Sequence, residues 1–90
     1  MPRIKNTNPL HFPCTYPLKV IGRNVDGLED LILKVAAKHV SGIGPEAIRS
    51  QESQEAKYLA ITLTFNAESR EQVEAIYLDL NHLEEVVMTL

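Results

Sequence analysis

The chain has 90 residues, of which 44% are hydrophobic and 23% charged, and its formal net charge at pH 7 is −3. A chain of this length can build one modest hydrophobic core, which excludes a second domain. No apolar run approaches the ~20 residues of a membrane-spanning helix, and the acidic balance argues against the many Lys and Arg contacts that nucleic-acid binding needs.

Residues 1–11 are rich in Pro and Asn and show no periodicity, which predicts a mobile N-terminal tail before a single domain at residues 12–90. The tail has no apolar stretch of the kind found in a secretory signal. The single cysteine, Cys14, cannot form an internal disulfide. Both features predict a cytoplasmic location.

The first ordered segment, residues 16–22, alternates in hydropathy and predicts a strand. Tyr16, Leu18 and Val20 point to one face, and Lys19 and Ile21 point to the other. A helix of about fourteen residues follows, because apolar side chains recur at helical spacing from Leu28 to His39. Asp26 and Glu29 are placed as an approximate capping box, and Gly42 is suited to end this helix.

The middle of the chain predicts a hairpin. Residues 58–65 form the cleanest strand, and Leu59, Ile61, Leu63 and Phe65 are expected to face the core. Residues 46–54 are polar, and we interpret them as a strand paired to that one.

The C-terminal third predicts a second helix and a last strand. Ser69 and Gln72 form a capping box, and Val73, Ile76, Tyr77 and Leu80 supply an apolar stripe. Residues 85–90 are predicted as the fourth strand, with Val86 and Met88 towards the core.

These elements follow one another in the order βαββαβ, which predicts an α+β, ferredoxin-like sandwich. Right-handed crossovers then give a four-stranded antiparallel sheet of order 4-1-3-2 with both helices on one face. The face turned away from the helices would carry small and mixed side chains, namely Lys19, Ile21, Ala60, Thr62, Thr64, Val87 and Thr89. This face, or a sheet edge, would either contact a second copy to form a homodimer or remain solvated.

Several segments resemble the YbeD-like family of small bacterial proteins, which have no assigned activity. They are Phe12-Pro-Cys-Thr-Tyr-Pro-Leu-Lys-Val-Ile-Gly22, Lys57-Tyr58-Leu59, Glu71-Gln72-Val73, Ile76-Tyr77 and Val87-Met88-Thr89-Leu90. The resemblance covers about residues 12–90. It implies a ferredoxin-like fold similar to ACT regulatory domains, and a link to lipoate metabolism through the family's genomic neighbourhood.

Two positions depart from the family pattern. Ala56 stands in the hairpin where relatives often have Gly, so a turn that needs a positive φ would be strained here. The segment His82-Leu-Glu-Glu85 is more acidic than the usual form, which affects any shared partner surface near the fourth strand.

The loop between the first strand and the first helix is the best candidate for a binding site. ACT domains bind small effectors there, and the resemblance extends this role to Arg23, Asn24, Val25, Asp26, Gly27 and Leu28. Free amides at a helix N-terminus attract carboxylates, Gly27 permits close approach, and Arg23 offers a fork for an anion. The alternative is that Asn24 and Asp26 only cap the helix, and Asp26 also places negative charge where an anion would bind.

No catalytic, metal or cofactor set accompanies this loop. His11 and Cys14 are two ligands at most, and His39 and His82 have no metal-ligand spacing. An acylphosphatase would need an arginine where Glu29 and Asp30 stand, and an RNA-binding module of this topology would need aromatic residues at Ala60, Thr62 and Thr64. A copper chaperone would need a Cys-x-x-Cys pair.

We therefore expect a non-enzymatic regulatory or adaptor domain that binds a small metabolite or a protein partner and uses no cofactor, nucleic acid or membrane. The alternative is a pure protein-interaction module without a ligand site.

Overall fold

The computed structural model describes residues 11–53 and 55–90, which form a four-stranded antiparallel sheet with two helices on one face. The elements are β1 (Cys14–Arg23), α1 (Leu28–Ala37), a 3₁₀ turn (Pro45–Ala47), β2 (Ile48–Glu52), β3 (Tyr58–Ala67), α2 (Arg70–Asn81) and β4 (Val86–Thr89). The sheet order is β2-β3-β1-β4, which confirms the predicted ferredoxin-like topology. Of the predicted tail and the predicted second strand, residues 1–10 and Gln54 lie outside the described part of the chain.

The two central strands, β1 and β3, set the frame of the sheet. Each has ten residues, and they pair along their full length, from Cys14 opposite Ala67 to Arg23 opposite Tyr58. Because side chains alternate between faces, every second residue of both strands points at the helices. Leu18, Val20, Ile61 and Leu63 are each no more than 1% exposed, so these predicted core positions are confirmed.

Both helices complete the core through their apolar stripes. The buried helical side chains are Leu28, Ile32, Val35 and Ala36 of α1, and Val73, Ile76 and Leu80 of α2. Leu31 and Tyr77 lie on the same apolar stripes, which were expected to be buried, but these two side chains are only partly buried. Burial of a large apolar side chain contributes roughly 1.5–3 kcal/mol, so this cluster is the main source of stability.

A β-bulge in β4 makes one part of the sequence prediction wrong. The pairs between β1 and β4 are Val20 with Thr89, Ile21 with Met88, and Gly22 with Val86, so the register shifts between Ile21 and Gly22. Val87 is therefore an extra residue, and the alternation of faces changes beyond it.

This change of alternation exchanges the predicted faces of Met88 and Thr89. Met88 lies beside Ile21 on the open face of the sheet and is 48% exposed, instead of facing the core. Thr89 lies on the helix side, where Asn81 Nδ2 donates to its Oγ1 at 3.4 Å. The open face predicted from sequence is therefore wrong at Thr89, because simple alternation cannot foresee a bulge.

The start and end of α1 also differ from the prediction. Gly27 is the N-cap, with φ of 85°, and no side chain caps this helix, so the predicted capping box of Asp26 and Glu29 is wrong. The helix ends at Ala37 with Lys38 as its C-cap. Gly42, with φ of 72°, lies in the following turn and does not end the helix.

The cap of α2 is confirmed. Ser69 Oγ accepts a hydrogen bond from the Gln72 amide at 3.1 Å. Gln72 Oε1 accepts from the amide of Glu68 at 2.7 Å, one residue before the amide that a capping box uses. Its Nε2 donates to the carbonyl of His39 at 2.7 Å, which ties the start of α2 to the end of α1.

Candidate functional site

The structure brings the six predicted site residues, Arg23–Leu28, into one connection between β1 and α1, with unequal exposure. Val25 is 43% exposed, whereas Leu28 is 1% exposed and belongs to the core. Gly27 has a left-handed backbone, and a Cβ placed on it would meet nothing within 4 Å. The loop thus forms an open surface and not a cavity wall around Gly27.

Asn24 is the polar centre of this loop, and its bonds are internal to the protein. Its Nδ2 donates to the Ala56 carbonyl at 2.9 Å and to Glu52 Oε2 at 3.1 Å. Its main-chain amide donates to the Lys57 carbonyl at 3.0 Å. Asn24 therefore links the first loop to the β2–β3 hairpin, which is a structural role.

Arg23 makes a similar connection to the segment before β4. Its amide donates to the Glu85 carbonyl at 2.8 Å, and its Nη2 donates to the Glu84 carbonyl at 3.3 Å. Both acceptors are main-chain oxygens, so the guanidinium charge is not neutralised by these bonds.

The first turn of α1 is surrounded by carboxylates. Asp26 precedes the helix, and Glu29 and Asp30 lie in its first turn. The last two line a depression of about 200 Å³ together with Leu33, Pro45 and Ile48. Ser50 Oγ donates to Glu29 Oε2. The partial positive charge of the helix N-terminus is thus already balanced by acidic side chains.

The open face of the sheet has a different character. One lateral row runs across β2, β3 and β1 to Leu90, the residue after β4, because Lys19 is opposite Thr62, Thr62 is opposite Arg49, and the Leu90 amide donates to the Lys19 carbonyl at 2.9 Å. We call this row, Leu90-Lys19-Thr62-Arg49, the basic row.

A second lateral row lies beside the basic row. It consists of Met88, Ile21, Ala60 and Gln51, each of which pairs with the next across the sheet. Seven of the eight residues in the two rows, all except Met88, line a groove of about 630 Å³. Small side chains on β3 form its floor, and longer side chains on β1 and β2 form its walls.

The groove is locally basic, although the net charge of the chain is negative. Of the residues that line the groove, Lys19 and Arg49 are cationic and none is acidic. Neither takes part in an ion pair within residues 11–53 and 55–90. The chain nevertheless has 12 acidic residues and a net charge of −3, so its carboxylates lie elsewhere.

Sequence reasoning missed several members of this face. Arg49, Met88 and Leu90 were not assigned to it, whereas Lys19, Ile21, Ala60 and Thr62 were. For Arg49 a signal was present, because Ile48 is the one large apolar residue of β2, and placing it inwards turns Arg49 outwards. Val87 is 54% exposed as the bulged residue, and Thr64 lies on the open face near the end of β3.

The perturbed titratable groups lie away from this face. His39 Nε2 and Asp79 Oδ2 are 2.8 Å apart, and this hydrogen bond holds the pKa of Asp79 below its ordinary value, with smaller contributions from Lys38 and His82. Burial raises the pKa of Tyr77, whose hydroxyl donates to the main-chain oxygen of Leu90 at 2.8 Å. These groups connect α1, α2 and the end of the sheet.

Cys14 is the first residue of β1 and is half-buried. Across the described residues, no three side chains of His, Cys, Asp or Glu are grouped so that they could hold a metal ion. Neither described helix is long and apolar enough to cross a bilayer.

Residues 7–90 match the model of a family described as "Protein of unknown function (DUF493)". The chain belongs to this family. It is 37% identical over 81 residues to a UPF0250 protein of Shewanella woodyi, with 90% of each chain covered. It is 34% identical over 82 residues to a UPF0250 protein of Azotobacter vinelandii, with 90% of this chain and 89% of the relative covered.

A UPF0250 protein of Hahella chejuensis is 30% identical over 86 residues, which cover 96% of this chain and 94% of the relative. These matches confirm the resemblance to YbeD-like proteins. The relatives' names state no activity, ligand or partner, so the function has to be argued from the surface of this chain.

Proposed function

We propose that the chain is a non-enzymatic adaptor domain that binds a partner protein on the open face of its sheet. The observation that carries this proposal is the groove of about 630 Å³, in which two cations without ion-pair partners in the described chain stand beside exposed apolar side chains. Leu90, in the groove, is 61% exposed, and Met88, beside Ile21 on the same face, is 48% exposed. Large apolar side chains next to unpaired charge are typical of interaction surfaces.

The shape of the groove favours a macromolecule over a metabolite. Small-molecule sites enclose about 70–90% of the ligand surface. This groove lies on a pleated sheet and is open along its length, so it covers only one side of an occupant. A protein surface, which contributes its own area, suits it better.

Charge also bears on the predicted homodimer. Two copies joined face to face would bring the two sets of Lys19 and Arg49 together, and like charges in an interface are unfavourable. A homodimer through this face is therefore not what we propose. Pairing through a sheet edge would avoid this repulsion.

Exchange of one side chain in the groove tests the proposal. Thr62→Arg fills the groove while keeping its positive charge, and Ala37→Arg makes the same addition on the exposed side of α1. We expect proteins retained by the tagged wild-type chain in a bacterial lysate to be retained by Ala37→Arg and lost from Thr62→Arg. An unchanged set of partners with Thr62→Arg, or none with the wild type, would contradict the proposal.

A regulatory role at the Arg23–Leu28 loop is the second candidate. It is supported by the start of α1, where no side chain caps the first turn and Gly27 leaves open space. The carboxylates of Asp26, Glu29 and Asp30 oppose an anionic ligand there. Amide shifts of the labelled chain, titrated with amino acids, lipoate and related acids, test it, and a lack of movement at residues 22–28 would remove it.

A further inference from the structure

From the charge and shape of the groove we infer that the partner segment is an acidic amphipathic helix lying along β3 on the open face. This inference rests on the proposed function and names the chemistry of the partner. Within the described residues, helices cover only the other face of this sheet, so the groove on the open face has room for a further layer.

The dimensions of the groove fit a helix. Neighbouring strands are about 4.7–4.9 Å apart, so β1 and β2, which flank β3, are separated by about 10 Å. A helix with its side chains is about 10–12 Å across. Its apolar stripe would rest on the small side chains of Ala60 and Thr62, between walls formed by β1 and β2.

The positive charges on the two sides of the groove predict which residues should flank the apolar stripe of such a helix. Lys19 stands on the β1 side and Arg49 on the β2 side of the same row. Carboxylates on both flanks of the apolar stripe would meet one cation on each side. No residue that lines the groove is acidic, so none would repel them.

Other occupants fit less well. Residues 1–10 of this chain contain Arg3 and Lys5 and no carboxylate, so their charge does not suit the groove. Single-stranded RNA needs several aromatic side chains for stacking, whereas β3 offers one exposed aromatic residue, Tyr58, at its start and then Ala60, Thr62 and Thr64. The helix α2 of a second copy is acidic and exposes Leu78, but its apolar stripe of Val73, Ile76 and Leu80 is already buried in its own core.

The test uses the full chain and a monomeric synthetic helix with a Leu stripe flanked by Glu on both sides. Comparison probes are the same helix with Lys in place of Glu and a single-stranded RNA oligonucleotide. We expect the Glu helix to bind at least about ten-fold tighter than the Lys helix at low salt, and binding to weaken as salt rises. Amide shifts should be concentrated at Lys19, Arg49 and residues 60–64.

Charge reversal supplies the matched variants. Lys19→Glu combined with Arg49→Glu should weaken binding of the Glu helix at least about ten-fold. Lys34→Glu combined with Arg70→Glu makes the same change of charge at exposed positions outside the groove. This variant should change the affinity for the Glu helix less than about two-fold. Melting curves of both double variants establish that they are folded.

The inference is overturned if the Glu helix shows no preference over the Lys helix, if the RNA binds more tightly, or if the chain alone self-associates through the groove. Failure of the proposed function looks different. If Thr62→Arg removes the captured partner while the charge-reversed pair retains it, the face binds a partner of other chemistry. If Thr62→Arg has no effect, the face itself is not the binding surface.

Discussion

Ala56 shows how a single residue can be strained by the turn in which it lies. It is the one non-glycine residue with a positive φ in the described chain, at 58°. The turn around it is tightly bonded, because the Ala56 amide donates to the Ser53 carbonyl and its own carbonyl accepts from Asn24. Relatives often have Gly at this position, so the sequence predicted that Ala56 would be strained if the turn required a positive φ. The structure shows this positive φ at Ala56.

Ala56→Gly should therefore raise the free energy of unfolding by about 1 kcal/mol, since a left-handed conformation costs about this much for a residue with a Cβ. Urea denaturation measures the change. Ala75→Gly, inside α2, is the control and should lower the free energy of unfolding by about 0.5–1 kcal/mol. A loss of stability with Ala56→Gly would show that the bonds of the turn need the methyl group.

Asn24 illustrates a residue-level feature that the sequence could not reveal. A polar residue before a helix predicts a cap, but its side chain instead reaches Glu52 and Ala56, about 30 residues away in the chain. Such a contact depends on how the hairpin folds back, which no local pattern contains.

At the scale of elements, the two helices begin by different means. In α2 the Ser69 side chain accepts the Gln72 amide, whereas in α1 the cap is the backbone of Gly27 alone. The sequence predicted a capping box at both helices, and only at α2, which has a hydroxyl at the N-cap, does the side-chain cap form, with Gln72 accepting from Glu68 in place of Ser69.

This contrast predicts unequal effects of two similar substitutions. Ser69→Ala should lower the free energy of unfolding by about 1 kcal/mol, because an amide of α2 loses its acceptor. Asp26→Ala should change it by less than about 0.5 kcal/mol, because Asp26 caps nothing and acts only through its charge. Chemical denaturation of both variants checks the difference. Equal losses would mean that Asp26 supports α1 in solution.

Strand prediction succeeded where the alternation of side chains was long. The ten residues of β1 and of β3 carry several apolar positions in register, so one face had to be the core. β4 has only four residues, and a single bulged residue reverses its pattern. Short strands are held mainly by their neighbours, and their faces depend on a register that lies outside their own sequence.

At the scale of the whole molecule, the contact between His39 and Asp79 joins the ends of the two helices. The Asp79 pKa is lowered in the folded chain from its ordinary 3.8, so folding favours the ionised carboxylate. The resulting stability is fully present above pH 3.8 and is lost as the pH falls through the lowered pKa.

Asp79→Asn should therefore melt at a lower temperature than the wild type at pH 5 to 7, and this difference should shrink towards pH 2. Thermal melts across this range test it. Glu74→Gln, on the exposed side of α2, removes a carboxylate outside this contact and is the control. A difference in melting temperature that stays constant down to pH 2 would show that the carboxylate charge is not what matters.

Parts of the open face that depend on one strand alone could be predicted from the sequence, whereas parts that depend on the pairing between strands could not. Lys19, Ile21, Ala60 and Thr62 share a face by alternation alone, so the sequence located the centre of the groove. The outer positions of the open face, Arg49 and Met88, depend on the pairing of β2 and on the bulge in β4. That Lys19 and Arg49 have no carboxylate beside them is a property of the assembled sheet.

Lys19 and Arg49 give the open face of the sheet a local excess of positive charge, although the whole chain is acidic. A protein with a net charge of −3 should be repelled by a negatively charged chromatography resin at pH 7. This one can still turn its basic row towards the resin and be retained at low ionic strength. Orientation, and not net charge, then governs how it behaves near any charged surface.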